Sequence, residues 1–186
     1  MESLSIVFEL ETPRLHLRRF SLDDLDDLAR IFRDPDVMRY MQSGIPRSRE
    51  EAKSVIDLHI NHWRDRGFGF WAVIDKAQNI FIGQGGLLLL DTAPEVEVGY
   101  LLASSHWGRG LATELANASL EHGFITLGLD RIVAVANPQN LASRRVMEKI
   151  GMRYEKNDIY YGVNCVYYSI DCDRWQSMQE QSVNKN

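Results

Sequence analysis

Apolar positions along this chain change their period several times, and each change marks an element. Leu15 and Leu17 alternate with polar neighbours between Arg14 and Phe20, which predicts a first strand. Ser21 with Asp24 three residues on reads as a helix-opening capping box. Leu25, Leu28, Ala29 and Phe32 then share one helical face, in a helix that Pro35 should end. The start signal recurs at Ser48 and Glu51, ahead of a stripe of Ala52, Val55, Ile56, His59, Ile60 and Trp63 that stops near Gly67.

Three runs rich in β-branched, aromatic and aliphatic residues follow, at 68–74, 81–90 and 95–103. The turn-like stretches 76–79 and 91–94 between them predict an antiparallel meander. Beyond Gly108 and Gly110, the spacing of Leu111, Leu115, Ala118 and His122 predicts a helix ending near Gly128, and 131–136 reads as the next strand. Asn137-Pro138 signals another helix, with Ala142, Val146 and Ile150 on its buried edge and Gly151 as its left-handed cap. Segments 152–155 and 160–170 complete the sheet. The order is strand, two helices, three strands, helix, strand, helix, two strands, which is a mixed α/β domain. No repeat or linker interrupts it. Residues 1–186 are therefore expected to form one domain, with a core of about 8–172 and a loosely ordered polar tail after Trp175.

Composition narrows the function. The chain is 45% hydrophobic and 25% charged, as in ordinary globular proteins. Its 21 Lys and Arg against 26 Asp and Glu give a net charge of −5, which argues against direct nucleic-acid binding. Six of those basic residues and only four of the acids lie within 104–153, so a mildly positive segment sits in an acidic body and suits a small anionic ligand. Two cysteines, Cys165 and Cys172, build no disulfide framework, and the start lacks a basic-then-apolar leader. The apolar run Leu87 to Leu90 falls far short of the roughly 20 residues of a membrane span. A cytoplasmic protein with no membrane association is expected.

The informative stretch is Glu97-Val98-Gly99-Tyr100-Leu101-Leu102-Ala103 followed by Trp107-Gly108-Arg109-Gly110-Leu111-Ala112-Thr113-Glu114. A strand passes through two glycines into a helix, so free N–H groups and the positive helix end converge where small residues let an anion approach. Two common phosphate motifs fail here. A dinucleotide fingerprint needs glycine at Thr113, and a P-loop needs a Gly-Lys-Ser/Thr end. The stretch does resemble the pyrophosphate loop of the GNAT acyltransferases: Arg or Gln, two residues, Gly, one residue, then Gly or Ala. Gly110 and Ala112 match its last two anchors, while Trp107 stands where Arg or Gln is usual. The resemblance extends to Thr12-Pro13-Arg14-Leu15-His16-Leu17-Arg18, to Asn140-Leu141-Ala142-Ser143 and to Glu148-Lys149-Ile150-Gly151-Met152. Together these strings resemble the branch containing ribosomal-protein alanine and serine N-acetyltransferases.

The resemblance implies a GNAT fold: a central, mostly antiparallel mixed sheet with a splayed strand pair, flanked by about four helices. It implies acetyl-CoA as co-substrate, with the pantetheine arm against the backbone of Leu101, Leu102 and Ala103. The pyrophosphate would lie over Arg109, Gly110, Leu111, Ala112 and Thr113, and Asn140 would hydrogen-bond the CoA arm. The acceptor would be an amine, either a protein N-terminus or a small molecule such as a polyamine or antibiotic, and the protein a monomer or homodimer. A catalytically silent acyl-CoA-binding module is the competing class.

Amine acetylation needs a base for the ammonium proton and a donor for the departing thiolate. Glu97 is the candidate base, directly or through a water, and Glu95 on the same side of the strand is its rival. The family's usual tyrosine acid is replaced by Met147. Ser143 is therefore the favoured donor, with Tyr160 and Tyr161 as fallbacks. Phe70, Trp71 and Tyr40 could wall an acceptor pocket, although core packing suits them better. His59 and His62 lie on the second helix and His106 stands alone, so no spaced Cys/His cluster exists and no metal is expected.

Overall fold

The computed structural model describes residues 9–90 and 93–183. Its strands are β1 (Leu10–Glu11), β2 (Leu15–Arg18), β3 (Phe70–Asp75), β4 (Ile80–Leu89), β5 (Val96–Leu102), β6 (Arg131–Ala136), β7 (Arg153–Tyr160) and β8 (Val163–Asp171). They form one sheet in the order β1-β2-β3-β4-β5-β6-β8-β7. Every neighbouring pair is antiparallel except β5 and β6. The helices are α1 (Leu25–Phe32), α2 (Pro35–Met38), α3 (Arg49–Arg66), α4 (Leu111–Glu121), α5 (Leu141–Lys149) and α6 (Cys172–Val183). This is the mixed α/β architecture expected, with six helices among the described residues rather than about four. Among the described residues no helix is long and apolar enough to cross a membrane.

Both capping boxes form as spaced. Ser21 and Asp24 exchange bonds at the single 3-10 turn before α1, and Ser48 and Glu51 do so at α3, which ends on Gly67 in the left-handed conformation. Helices α1 and α3 cover one face of the sheet, where Leu28, Phe32 and Ile56 pack with Ala72, Phe81 and Leu101. Helices α4 and α5 cover the other, where Ala116, Leu120, Met147 and Ile150 pack with Leu87, Val98 and Ile132. Close layering demands glycine in β4: at Gly86 (φ +145°) a Cβ would lie 2.5 Å from the Gly69 carbonyl and 2.9 Å from the Trp71 ring.

Several local expectations are corrected. Pro35 does not merely stop α1, which ends at Phe32. It opens α2 as a first-turn proline behind the Asp34 cap. Helix α5 begins at Leu141 and not at Asn137-Pro138, because Asn137 spends its side chain on the Gln139 N–H and its carbonyl on the Asn140 N–H in a preceding turn. Its buried side is Met147 and Ile150 with Val146 partly covered, while Ala142 is exposed. Helix α4 stops at Glu121 and continues through a π turn, His122–Thr126. Past Trp175 the chain remains helical to Val183, where Trp175 packs at a tilt against Phe124 (5.4 Å) and Met178 covers Gly151.

Between β5 and β6 the sheet opens. Their one registered pair is Glu97 with Val133, whereas β5 stays paired with β4 from Val96 through to Leu102. Beyond Glu97, β5 therefore has a strand on one side and a gap on the other.

Candidate active site

Antiparallel ladders alternate bonded and non-bonded pairs, which decides which backbone groups face the gap. Ala103 donates its N–H to the Ile82 carbonyl of β4 (2.8 Å). By alternation the Leu101 peptide groups also face β4, and those of Leu102 and Tyr100 face the opening. Of the three residues expected to hold the pantetheine arm through their backbone, Leu102 is thus the one turned toward the opening. Its carbonyl already accepts from the half-exposed Trp107 indole N–H (2.8 Å), and its N–H is the group left for a ligand.

The chain leaves β5, makes one 3-10 turn at Ser104–His106, and enters α4 through Gly108 (φ +73°) and Gly110 (φ +76°). Both glycines occupy the left-handed region that other residues seldom adopt. Gly110 is the N-cap and supplies no side-chain cap. The first intrahelical bond runs from the Glu114 N–H to the Gly110 carbonyl (3.1 Å). The N–H groups of Leu111, Ala112 and Thr113 precede that bond and lie at the positive end of the helix, a fit for an anion. The Arg109 side chain does not join them. Its guanidinium turns to the buried Asp75 carboxylate (3.4 Å), and its carbonyl accepts from Arg14 (2.7 Å), so only its backbone belongs to the cradle.

Glu97 points to the α1–α3 face of the sheet, in step with Leu101, and lies at the point where the opening begins. The Tyr161 hydroxyl donates to its Oε2 (2.5 Å). Burial pushes the Glu97 carboxyl up to about 7, against the pull of the Tyr161 hydroxyl and the Val135 N–H. Glu95, its rival, accepts from the Tyr167 hydroxyl (2.7 Å), and burial with that contact raises the Tyr167 phenol to about 12.

Tyr100 differs from Glu97 by an odd number of residues and so points to the α4–α5 face. Its hydroxyl lies 3.0 Å from the Ser143 carbonyl and 3.1 Å from Ser143 Oγ. Burial raises the phenol well above its ordinary value, so it stays protonated. The sequence reading assigned Tyr100 no role. Strand parity was the available signal, but the pairing joins residues 43 positions apart. Asn140 is the N-cap of α5: its Oδ1 accepts from the Ser143 N–H (3.1 Å), which leaves its amide nitrogen for a ligand. Met147 is buried in the core and offers no proton.

The remaining candidates lie elsewhere. Tyr160 is buried and stacked on Tyr167 (5.7 Å). His59 is buried between Phe20 and Phe70, with Nε2 3.2 Å from Gln84, and burial pushes it down to about 4. His62 bonds the Phe68 carbonyl (2.7 Å), and Trp71 lies wholly in the core. His106 is buried 3.7 Å from Asp75. Among the described residues no three His, Cys, Asp or Glu gather as a metal-binding group.

Residues 14–153 match the acetyltransferase (GNAT) domain family. An uncharacterized Bacillus subtilis protein, YkkB, is 37% identical over 155 residues, spanning 80% of this chain and 87% of its own. An uncharacterized N-acetyltransferase of Bacillus licheniformis, p20, is 30% identical over 151 residues, 78% of this chain and 83% of that protein. The crystal structure of a GNAT-family acetyltransferase from Bacillus anthracis superposes with a TM-score of 0.77 at 28% identity, covering 89% of this chain and 99% of that one.

Proposed function

The chain belongs to the GNAT family of acetyl-CoA-dependent N-acetyltransferases, and on that premise we propose that its acceptor is a peptide N-terminal α-amino group, with Glu97 as the base and Ser143 as the donor to the leaving group. The observation carrying this reading is a carboxyl held near pH 7 beside the sheet opening.

Acetyl-CoA fits the residues present. The uncapped first turn of α4 suits its pyrophosphate, and the Leu102 N–H and the Asn140 amide line a path for its arm. When bound it supplies an acetyl thioester. Glu97 takes one proton from the ammonium and leaves a neutral amine; the amine nitrogen bonds to the acetyl carbon as the carbon–sulfur bond breaks, and the second proton that this nitrogen sheds goes to the departing thiolate, giving the amide and the free CoA thiol. The Ser143 hydroxyl, steadied by Tyr100, donates a hydrogen bond toward the sulfur that leaves as thiolate. Base and donor stand on opposite faces of β5, so the two proton demands are met from two sides. Each group is held by its fold rather than by flexible loops, which favours reaction by orientation.

The choice of acceptor follows from proton affinities. An α-amino group titrates at about 7.7 to 8.0 and a lysine side chain at about 10.4, so a base near 7 is mismatched by about one unit to the first and by more than three to the second. The resemblance to the alanine- and serine-acetylating branch supports the same reading. The test is a competition at equal concentration among an Ala- or Ser-initiated peptide, an Nα-blocked lysine peptide and a polyamine. The N-terminal peptide should be acetylated fastest. Faster acetylation of either rival would sink the acceptor assignment and leave the N-acetyltransferase standing.

A further inference from the structure

We propose that Tyr161 is a positioning residue for Glu97, placed in a hairpin turn at the cost of backbone strain so that its hydroxyl fixes the carboxylate and keeps it able to accept a proton. The proposal rests on the reading of Glu97 as base.

Tyr161 and Gly162 are the two residues joining β7 to β8, which close on the pair Tyr160 and Val163. Their φ angles are +52° and +75°. A two-residue turn with both φ positive is the chemistry of Asn-Gly or Gly-Gly, and a bulky aromatic residue in the left-handed region is an outlier. Such strain persists where the surroundings over-determine it, and it marks functional positions. Here the surroundings do so. The side chain leaves its hairpin to reach Glu97 Oε2, 64 positions earlier, at 2.5 Å, and the Tyr161 carbonyl accepts from Gln42 Nε2 (2.5 Å) in the segment between α2 and α3. The turn is thereby held from β5 and from the segment between α2 and α3 at once.

The other groups around Glu97 do not replace this contact. From β6, the Val135 N–H also donates to it. From β8, the Cys165 thiol is raised by burial and by the Glu97 charge, and from β5 the Tyr100 phenol is raised as well. Glu95 is engaged with Tyr167, and His62 of α3 is spent on the Phe68 carbonyl and the Leu89 N–H. No Lys or Arg among the described residues forms an ion pair with Glu97. Hydrogen-bond donors alone counter the desolvation, and Tyr161 is the side-chain donor. One proton moves from ammonium to Glu97, and no bond to Tyr161 breaks.

The test compares wild type, Tyr161→Phe and Glu97→Gln. Tyr161→Phe keeps the ring and the turn and deletes the donor. Its acid limb in kcat/KM should move up by about one pH unit or more, with acetyl-CoA affinity unchanged by calorimetry. The Glu97 side-chain titration followed by carbon NMR should move with it. Tyr161→Asn, which suits the turn, should show the same displaced limb in a protein that remains folded. A limb at the wild-type position in these variants, while Glu97→Gln abolishes it, would overturn the role of Tyr161 and leave the base in place. A limb and rate that survive in Glu97→Gln would instead overturn the base itself, and the proposal with it.

Discussion

At the scale of single residues, the chemistry depends on two oxygen acids of one strand, Glu97 and Tyr100, both raised by burial. Glu97 is raised to about 7 by burial, so it is protonated below that pH and an acceptor above it. Turnover should accordingly rise with pH through about 7 and level off. Glu97→Gln should lower kcat by roughly a hundredfold or more, the usual worth of a positioned base, with acetyl-CoA affinity unchanged by calorimetry. Ser143→Ala and Tyr100→Phe each remove one hydroxyl of a 3.1 Å pair and should lower kcat by about two- to tenfold, again without altering cofactor affinity. A normal rate in Ser143→Ala would leave that residue as an ordinary first-turn serine. Glu97 and Ser143 could be named from their strings, whereas Tyr100 acquires its place only through a contact between β5 and α5.

At the scale of elements, the entrance to α4 is a set of backbone donors, and substitutions there must be judged by φ as well as by size. Gly110→Val would strain a residue at φ +76° and so confound binding with folding. Gly108→Asp is cleaner. Aspartate tolerates the left-handed region, and nothing lies within 4 Å of the added Cβ. A carboxylate beside the cradle should weaken acetyl-CoA by about tenfold at low salt and less at high salt, with a melting temperature lowered by only about 2–4 °C, the cost of a left-handed aspartate. Titration calorimetry at two ionic strengths checks it. Capping boxes at Ser21 and Ser48 and the left-handed glycines at 67 and 151 were legible because they are local. The start of α5 was not, because Asn137 and Asn140 are both capable caps and the competing turn at Asn137 is resolved by packing of Met147 and Ile150.

At the scale of the whole molecule, stability and function oppose each other through pH. Burial lowers His59 from 6.5 to about 4, so its contribution is complete above 6.5 and is lost as pH falls toward 4. Burial raises Glu97 from 4.5 to about 7, so its contribution is complete below 4.5 and is lost as pH rises through 7. Between 4.5 and 6.5 the two slopes offset. Glu97→Gln removes one of them, and its stability relative to wild type should improve by about 3 kcal/mol between pH 4.5 and pH 8, measured by urea unfolding at both. An equal difference at the two pH values would show that Glu97 carries no burial penalty. Most of the element order, the meander and the glycine-bearing loop into α4 were readable from the chain because period, caps and turn glycines act over a few residues, whereas Glu97 and Asn140 were singled out by resemblance rather than by any local rule. Folding alone turned Leu102 rather than Leu101 or Ala103 to the opening, drew Arg109 away to Asp75, and brought Tyr161 and Tyr100 to opposite sides of one strand. Those outcomes depend on strand register, on which helix covers which face and on the burial of charge, and each of these arises between segments distant in sequence.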